Sequence, residues 1–147
     1  MLKNNINQYN PVYIFFSIIW GAILFFCICV ANFDGTFFHF EAADFRWNPN
    51  PNFRELFILS DLTQIHEYFL LIKTGHFVGF AVLELLLFAA FRRKGLTVLL
   101  GLLLAISTEV LQLYFWRDGR IYDMIIDSAG TFCSYLIIRS KIQRSEK

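Results

Sequence analysis

The chain has 147 residues, 56% of them apolar, with a formal net charge of +1 and a mean hydropathy of +0.50. That length leaves no room for two ordinary domains, and that apolar share exceeds the roughly 45–50% of a soluble domain. The small net charge gives no ground for a nucleic-acid or strongly acidic partner.

The first hydrophobic stretch, residues 12–31, carries no charge over twenty residues, the length needed to cross about 30 Å of hydrocarbon. Its apolar run exceeds the roughly 7–15 residues of a signal-peptide core, and Cys29-Val30-Ala31 makes a poor cleavage site. Leu24, Phe25 and Phe26 ahead of Cys27 are too bulky for a lipoprotein signal. A retained span is therefore expected.

Residues 32–67 follow, rich in aromatics and broken by Asn48-Pro49-Asn50-Pro51. Trp47, Phe53 and Phe57 suggest a segment lying on the membrane surface, with a short amphipathic helix near residues 53–59. A plain linker with interfacial aromatics is the simpler alternative.

Three further stretches, residues 68–91, 96–115 and 121–138, are long enough to span but are not purely apolar. Lys73, His76 and Glu84 interrupt the first of them, Glu109 and Gln112 the second, and Asp123 and Asp127 open the last. A soluble bundle would need polar outward faces, and stretches 12–31 and 96–115 have almost none. The expected fold is thus an all-α membrane protein: one domain over residues 1–147 with four transmembrane helices. Cys27, Cys29 and Cys133 all fall inside spans, where an odd count gives no disulfide framework and small apolar filling is their expected role.

Basic residues orient the bundle. Lys3, Arg92, Arg93, Lys94, Arg139, Lys141, Arg144 and Lys147 fall on one side, against Arg46, Arg54, Arg117 and Arg120 on the other. By the positive-inside rule both termini are cytoplasmic, and the 32–67 loop and the 116–119 turn face outward. The implied location is a cell membrane, crossed several times.

An ionisable group at mid-membrane costs about 2.5–3.5 kcal/mol even on the lenient insertion scale, so it needs a partner or a function. Arg120, Asp123, Asp127, Gly130 and Ser134 recur at helical spacing and share one face, as do Lys73, His76 and Phe80. Glu109 and Gln112 form a third pair. Folding the last two stretches about Asp118-Gly119 brings Glu109 and Asp127 to similar depth, with His76 beside them about 10–12 Å below the outer surface. The expected outcome is an outward-facing polar pocket built from Lys73, His76, Glu109, Gln112, Arg120, Asp123 and Asp127. Within it Arg120 should pair with Asp123 or with Glu109, while Glu84 lies deeper with a structural partner of its own. Each member also has a structural reading: Lys73 and Arg120 as snorkelling side chains, His76 as a packing residue, Glu109 and Asp127 as interhelical glue. The one-sided placement favours a site, since glue would be spread through the depth.

Lys73-Thr74-Gly75-His76-Phe77-Val78-Gly79-Phe80, Glu109-Val110-Leu111-Gln112, Arg120-Ile121-Tyr122-Asp123 and Asp127-Ser128-Ala129-Gly130 resemble the signature of the VanZ-like family, over about residues 70–138. That family shows a K-x-x-H-F-x-x-F segment, an E-x-x-Q segment, and an R-x-x-D segment followed by a small-residue motif. Asp127 departs from it, standing where members more often have Asn. The resemblance implies a small bacterial membrane protein and a link to tolerance of teicoplanin, a lipid-tailed glycopeptide.

Binding is the leading functional reading, with an envelope lipid, a cell-wall precursor or a lipoglycopeptide as partner. Arg120 and Lys73 would engage phosphate or carboxylate, and the carboxylates would engage hydroxyls or amines. The alternative is a membrane enzyme acting on such a lipid, with His76, Glu109 and Asp123 as candidates for acid–base work. No phosphate loop, nucleophile elbow or zinc motif is present. No cofactor or metal is expected, although His76, Glu109, Asp123 and Asp127 form an oxygen-rich set with one imidazole.

Overall fold

A computed structural model describes residues 9–31, 33–39, 41–60 and 68–145. Lys3, Lys147, Asn32 and the 61–67 part of the long loop lie outside the described residues. Four helices are long and apolar enough to cross a membrane: α1 (Pro11–Cys29), α3 (Phe69–Phe91), α4 (Lys94–Tyr114) and α5 (Ile121–Ser145). A short α2 (Phe33–Phe38) and a 3-10 turn (Phe53–Phe57) lie in the long loop. Among the described residues there is no strand, and Val30 and Phe45 form an isolated antiparallel bridge.

Local chemistry sets the helix ends. Asn10 caps α1 by accepting the Val12 N–H at 3.1 Å, and Pro11 opens the helix where its missing N–H costs nothing. The helix stops at Cys29, short of residue 31, because Val30 turns extended and Ala31 N–H donates to Asp44 O. Arg92 takes a left-handed conformation with φ of 56° and ends α3, so α4 begins at Lys94, two residues earlier than the apolar run suggests. The last helix outruns its apolar stretch: past residue 138 it carries Arg139, Lys141 and Arg144.

Direction alternates along the chain, so α3 and α5 run parallel and α1 and α4 run against them. This parallel pair makes the most extensive contact in the bundle. Ser134 Oγ donates to Ala81 O at 2.8 Å, and Gly130 lies directly on the Phe77 backbone. Trp20 ties α1 to α3 through a 2.9 Å bond from its indole N–H to Gly79 O.

The interior divides in two. Toward the Arg92–Arg93–Lys94 end, Phe80, Leu83, Leu87 and Ala105 form an apolar core, with Trp20 and Leu24 against it. Toward the long-loop end, Glu109, Gln112, Arg120, Asp123 and Asp127 are buried beside Val30 and Leu113. The outside is the reverse of a soluble protein: Phe15, Ile18, Leu99, Leu103, Ile125 and Phe132 are all exposed, as bilayer-facing helices require. Glu84 does have its own partner, taking a 2.8 Å bond from Thr97 Oγ1.

Candidate functional site

The ionisable residues meet between α3, α4 and α5. Because α3 and α5 are parallel, one helical turn on each advances the pairing together. Lys73 Nζ lies 2.7 Å from Asp123 Oδ2, and a turn deeper His76 Nδ1 lies 3.1 Å from Asp127 Oδ1. Lys73 therefore does not snorkel; its ammonium also sits 4.8 Å from the Tyr122 ring centroid.

From α4, Glu109 reaches into the same layer. Its Oε1 is 3.8 Å from His76 Nδ1 and takes a 2.9 Å bond from Gln112 Nε2. Its Oε2 accepts the Arg120 backbone N–H at 3.0 Å, satisfying one of the open donors at the start of α5. The link between Arg120 and Glu109 thus runs through the main chain. The Arg120 guanidinium instead donates to Glu55 O at 3.0 Å and lies 3.1 Å from Asp118, which pins the 3-10 turn over the site. Asp123 Oδ1 and Asp127 Oδ2 are buried and take no hydrogen bond from any described residue.

A cavity of about 400 Å3 opens beside this layer, within the roughly 300–1,000 Å3 of ligand pockets. Its walls are mostly apolar: Leu24 and Ile28 of α1, Phe37 of α2, and Leu71, Ile72 and Phe80 of α3. His76, Glu109, Gln112 and Asp127 also reach it, and Arg117 joins them from the turn. Leu71 and Gly75 border it and are exposed. Of the seven residues expected in the pocket, four line this cavity. Lys73, Arg120 and Asp123 form the adjoining layer, held by the pairs described above.

Two contributors were not anticipated. Arg117 donates to Cys27 O at 3.3 Å and to Val30 O at 3.0 Å, capping the C-terminal end of α1 where its carbonyls are open. Residues 44–57 are no loose linker. Asn48 N–H donates to Tyr114 O at 2.7 Å, Trp47 stacks on Tyr114 with centroids 5.3 Å apart, and Phe53 meets the same ring edge-on. Trp47 and Phe57 keep 59% and 68% of their surface exposed, fitting the interfacial placement expected of them. Side-chain-to-backbone caps leave little sequence signal, since any residue supplies the carbonyl.

Fold and site together define a class: a multi-pass helical membrane protein with a buried ionisable layer at one end of its bundle. The chain belongs to the VanZ/LLP1 family, whose model matches residues 12–142 and so takes in all four spans. It is also similar to "Uncharacterized membrane protein YwnJ" of Bacillus subtilis (strain 168), at 31% identity over 130 residues, 86% of this chain and 91% of that protein. No solved structure matches it significantly. It is a multi-pass bacterial membrane protein of that family.

Proposed function

We propose that the protein binds a lipid-anchored envelope molecule at the outer leaflet, its apolar chain on the cavity walls and its headgroup against the ionisable layer. The observation that supports this most is the cavity's mixed lining. Leu24, Ile28, Phe37, Leu71 and Ile72 suit hydrocarbon, while His76, Glu109, Gln112 and Asp127 supply polar groups to the same cavity. An apolar ligand alone would not repay burying two carboxylates, and a free polar solute would not use the walls. Oxygen acceptors favour hydroxyl or amine groups on the headgroup, and Arg117 suits a phosphate or carboxylate. Envelope lipids, cell-wall precursors and lipoglycopeptides share this chemistry, which is how teicoplanin-type tolerance would arise.

Gly75 provides the test. It borders the cavity, and an added Cβ there meets nothing within 4 Å, so Gly75→Leu can enter the space without a clash at its Cβ. Protein purified in mild detergent should carry an envelope lipid identifiable by mass spectrometry. Gly75→Leu should lose it along with any glycopeptide tolerance at unchanged thermal stability, whereas Gly21→Leu, equally free of neighbours, should keep both. Identical lipid content in wild type and Gly75→Leu refutes the reading.

One observation favours the enzymatic alternative. The 3.1 Å contact between His76 Nδ1 and Asp127 fixes the imidazole as a general base requires. Turnover of the bound lipid by wild type, lost in a His76→Gln variant that still retains the lipid, would make that reading correct.

A further inference from the structure

We infer that His76, Glu109 and Asp127 hold a first-row divalent cation at the edge of the cavity. One donor atom from each of the three, the imidazole nitrogen and a carboxylate oxygen from each acid, falls within 4.8 Å of the others. The two pairs that involve His76 Nδ1 are closer, at 3.1 Å and 3.8 Å. Metal bonds of about 2.0–2.2 Å put neighbouring ligand atoms roughly 3 Å apart or slightly more, so small side-chain rotations close the set.

Three further features point to an ion. Asp127 is fully buried, and its Oδ2 lies among the orphaned buried oxygens. In hydrocarbon an oxygen left that way is costly, and a cation supplies the missing partner. Glu109 is held from behind, Oε1 by Gln112 and Oε2 by the Arg120 backbone, the outer-shell support that orients metal ligands. The charge balance also fits it. Lys73 sits on Asp123 at 2.7 Å, and the basic group that reaches both Glu109 and Asp127 is His76, which carries at most one positive charge against two negative. A divalent ion with neutral imidazole brings that layer to zero, and one imidazole among oxygens suits Mn2+ or Zn2+ better than Ca2+.

The three ligands all line the cavity, so the ion's open positions face it. On the proposed lipid-binding reading, the ion would take a phosphate or carboxylate of the headgroup and turn an acceptor-lined wall into an anion receptor. Ion binding itself does not depend on that reading, so Mn2+ alone is the probe.

Tag-free protein in detergent, stripped with chelator and titrated with Mn2+, should quench the aqueous Mn2+ electron paramagnetic resonance signal at one ion per chain. His76→Gln and Asp127→Asn should weaken this by at least the roughly 10–100-fold that loss of an outer-shell partner costs, while Glu84→Gln, a buried acid outside the set, should match wild type. If those variants fail to accumulate, wild type with labelled histidines decides the matter: Mn2+ should broaden the His76 ring signals more than those of the other two histidines. No saturable binding at millimolar Mn2+, binding undiminished in His76→Gln, or equal broadening of all three histidines would overturn the inference. Retention of lipid in Gly75→Leu would leave it untouched.

Discussion

Glu109 is both a floor of the cavity and a structural brace, because its two oxygens accept from Gln112 Nε2 and from the Arg120 N–H. Glu109→Gln leaves one acceptor oxygen for two buried donors. One donor then faces an NH2 group, and an orphaned buried donor costs about 1–3 kcal/mol. Thermal unfolding in detergent should show a loss of that order, and a variant as stable as wild type would show that the brace is unimportant. His76 differs: a glutamine amide still donates to Asp127 Oδ1, so His76→Gln should melt within about 1 kcal/mol of wild type while losing ligand. It is therefore the better probe of function. The meeting of His76, Glu109 and Asp127 was legible in the sequence because helical spacing and one tight turn fix depth. The Arg120 guanidinium was not, because its partner Glu55 O is a main-chain group that carries no side-chain signature.

Between helices in lipid the solvent supplies no apolar driving force, and close backbone approach does more of the holding. Gly130 shows this where α3 crosses α5. An added Cβ there would overlap the Phe77 carbonyl and approach Ala81 N, main-chain atoms that no rotamer change can move. Gly130→Ala must part the two helices, and with them the Lys73–Asp123 and His76–Asp127 pairs. We expect a destabilisation of about 3 kcal/mol, the upper part of the usual overpacking range, together with loss of bound lipid. Gly95→Ala is the control, since its added Cβ meets nothing within 4 Å. Equal melting of the two variants would show that the contact yields. The apolar stretches located all four spans, but their ends followed from devices a hydropathy window does not register. The Val30–Phe45 bridge shortens α1, and the left-handed Arg92 starts α4 early. The docking of residues 44–57 was hidden for a similar reason: aromatic content predicts an interface without saying which helix end the rings will cover.

At the scale of the bundle, the polarity of the interior and the charge of the ends run in parallel. The described basic residues Arg92, Arg93, Lys94, Arg139, Lys141 and Arg144 cluster at the end with the apolar core, since α3 ends, α4 begins and α5 ends there. At the opposite end the described basic residues are Arg46, Arg54, Arg117 and Arg120, four against six, with Lys73 inside α3. By the positive-inside rule the basic end would lie inside and the cavity would face the outer leaflet, where an envelope lipid headgroup would be met. Cysteine labelling tests this with the three native cysteines, Cys27, Cys29 and Cys133, replaced. Asn50 and Asp118 are both exposed at the cavity end, so a cysteine at either should react with an impermeant thiol reagent in intact cells. One at Lys94 should react only after the cells are opened. The opposite pattern would turn the cavity to the cytoplasm, and its ligand would then have to be sought among inner-leaflet lipids.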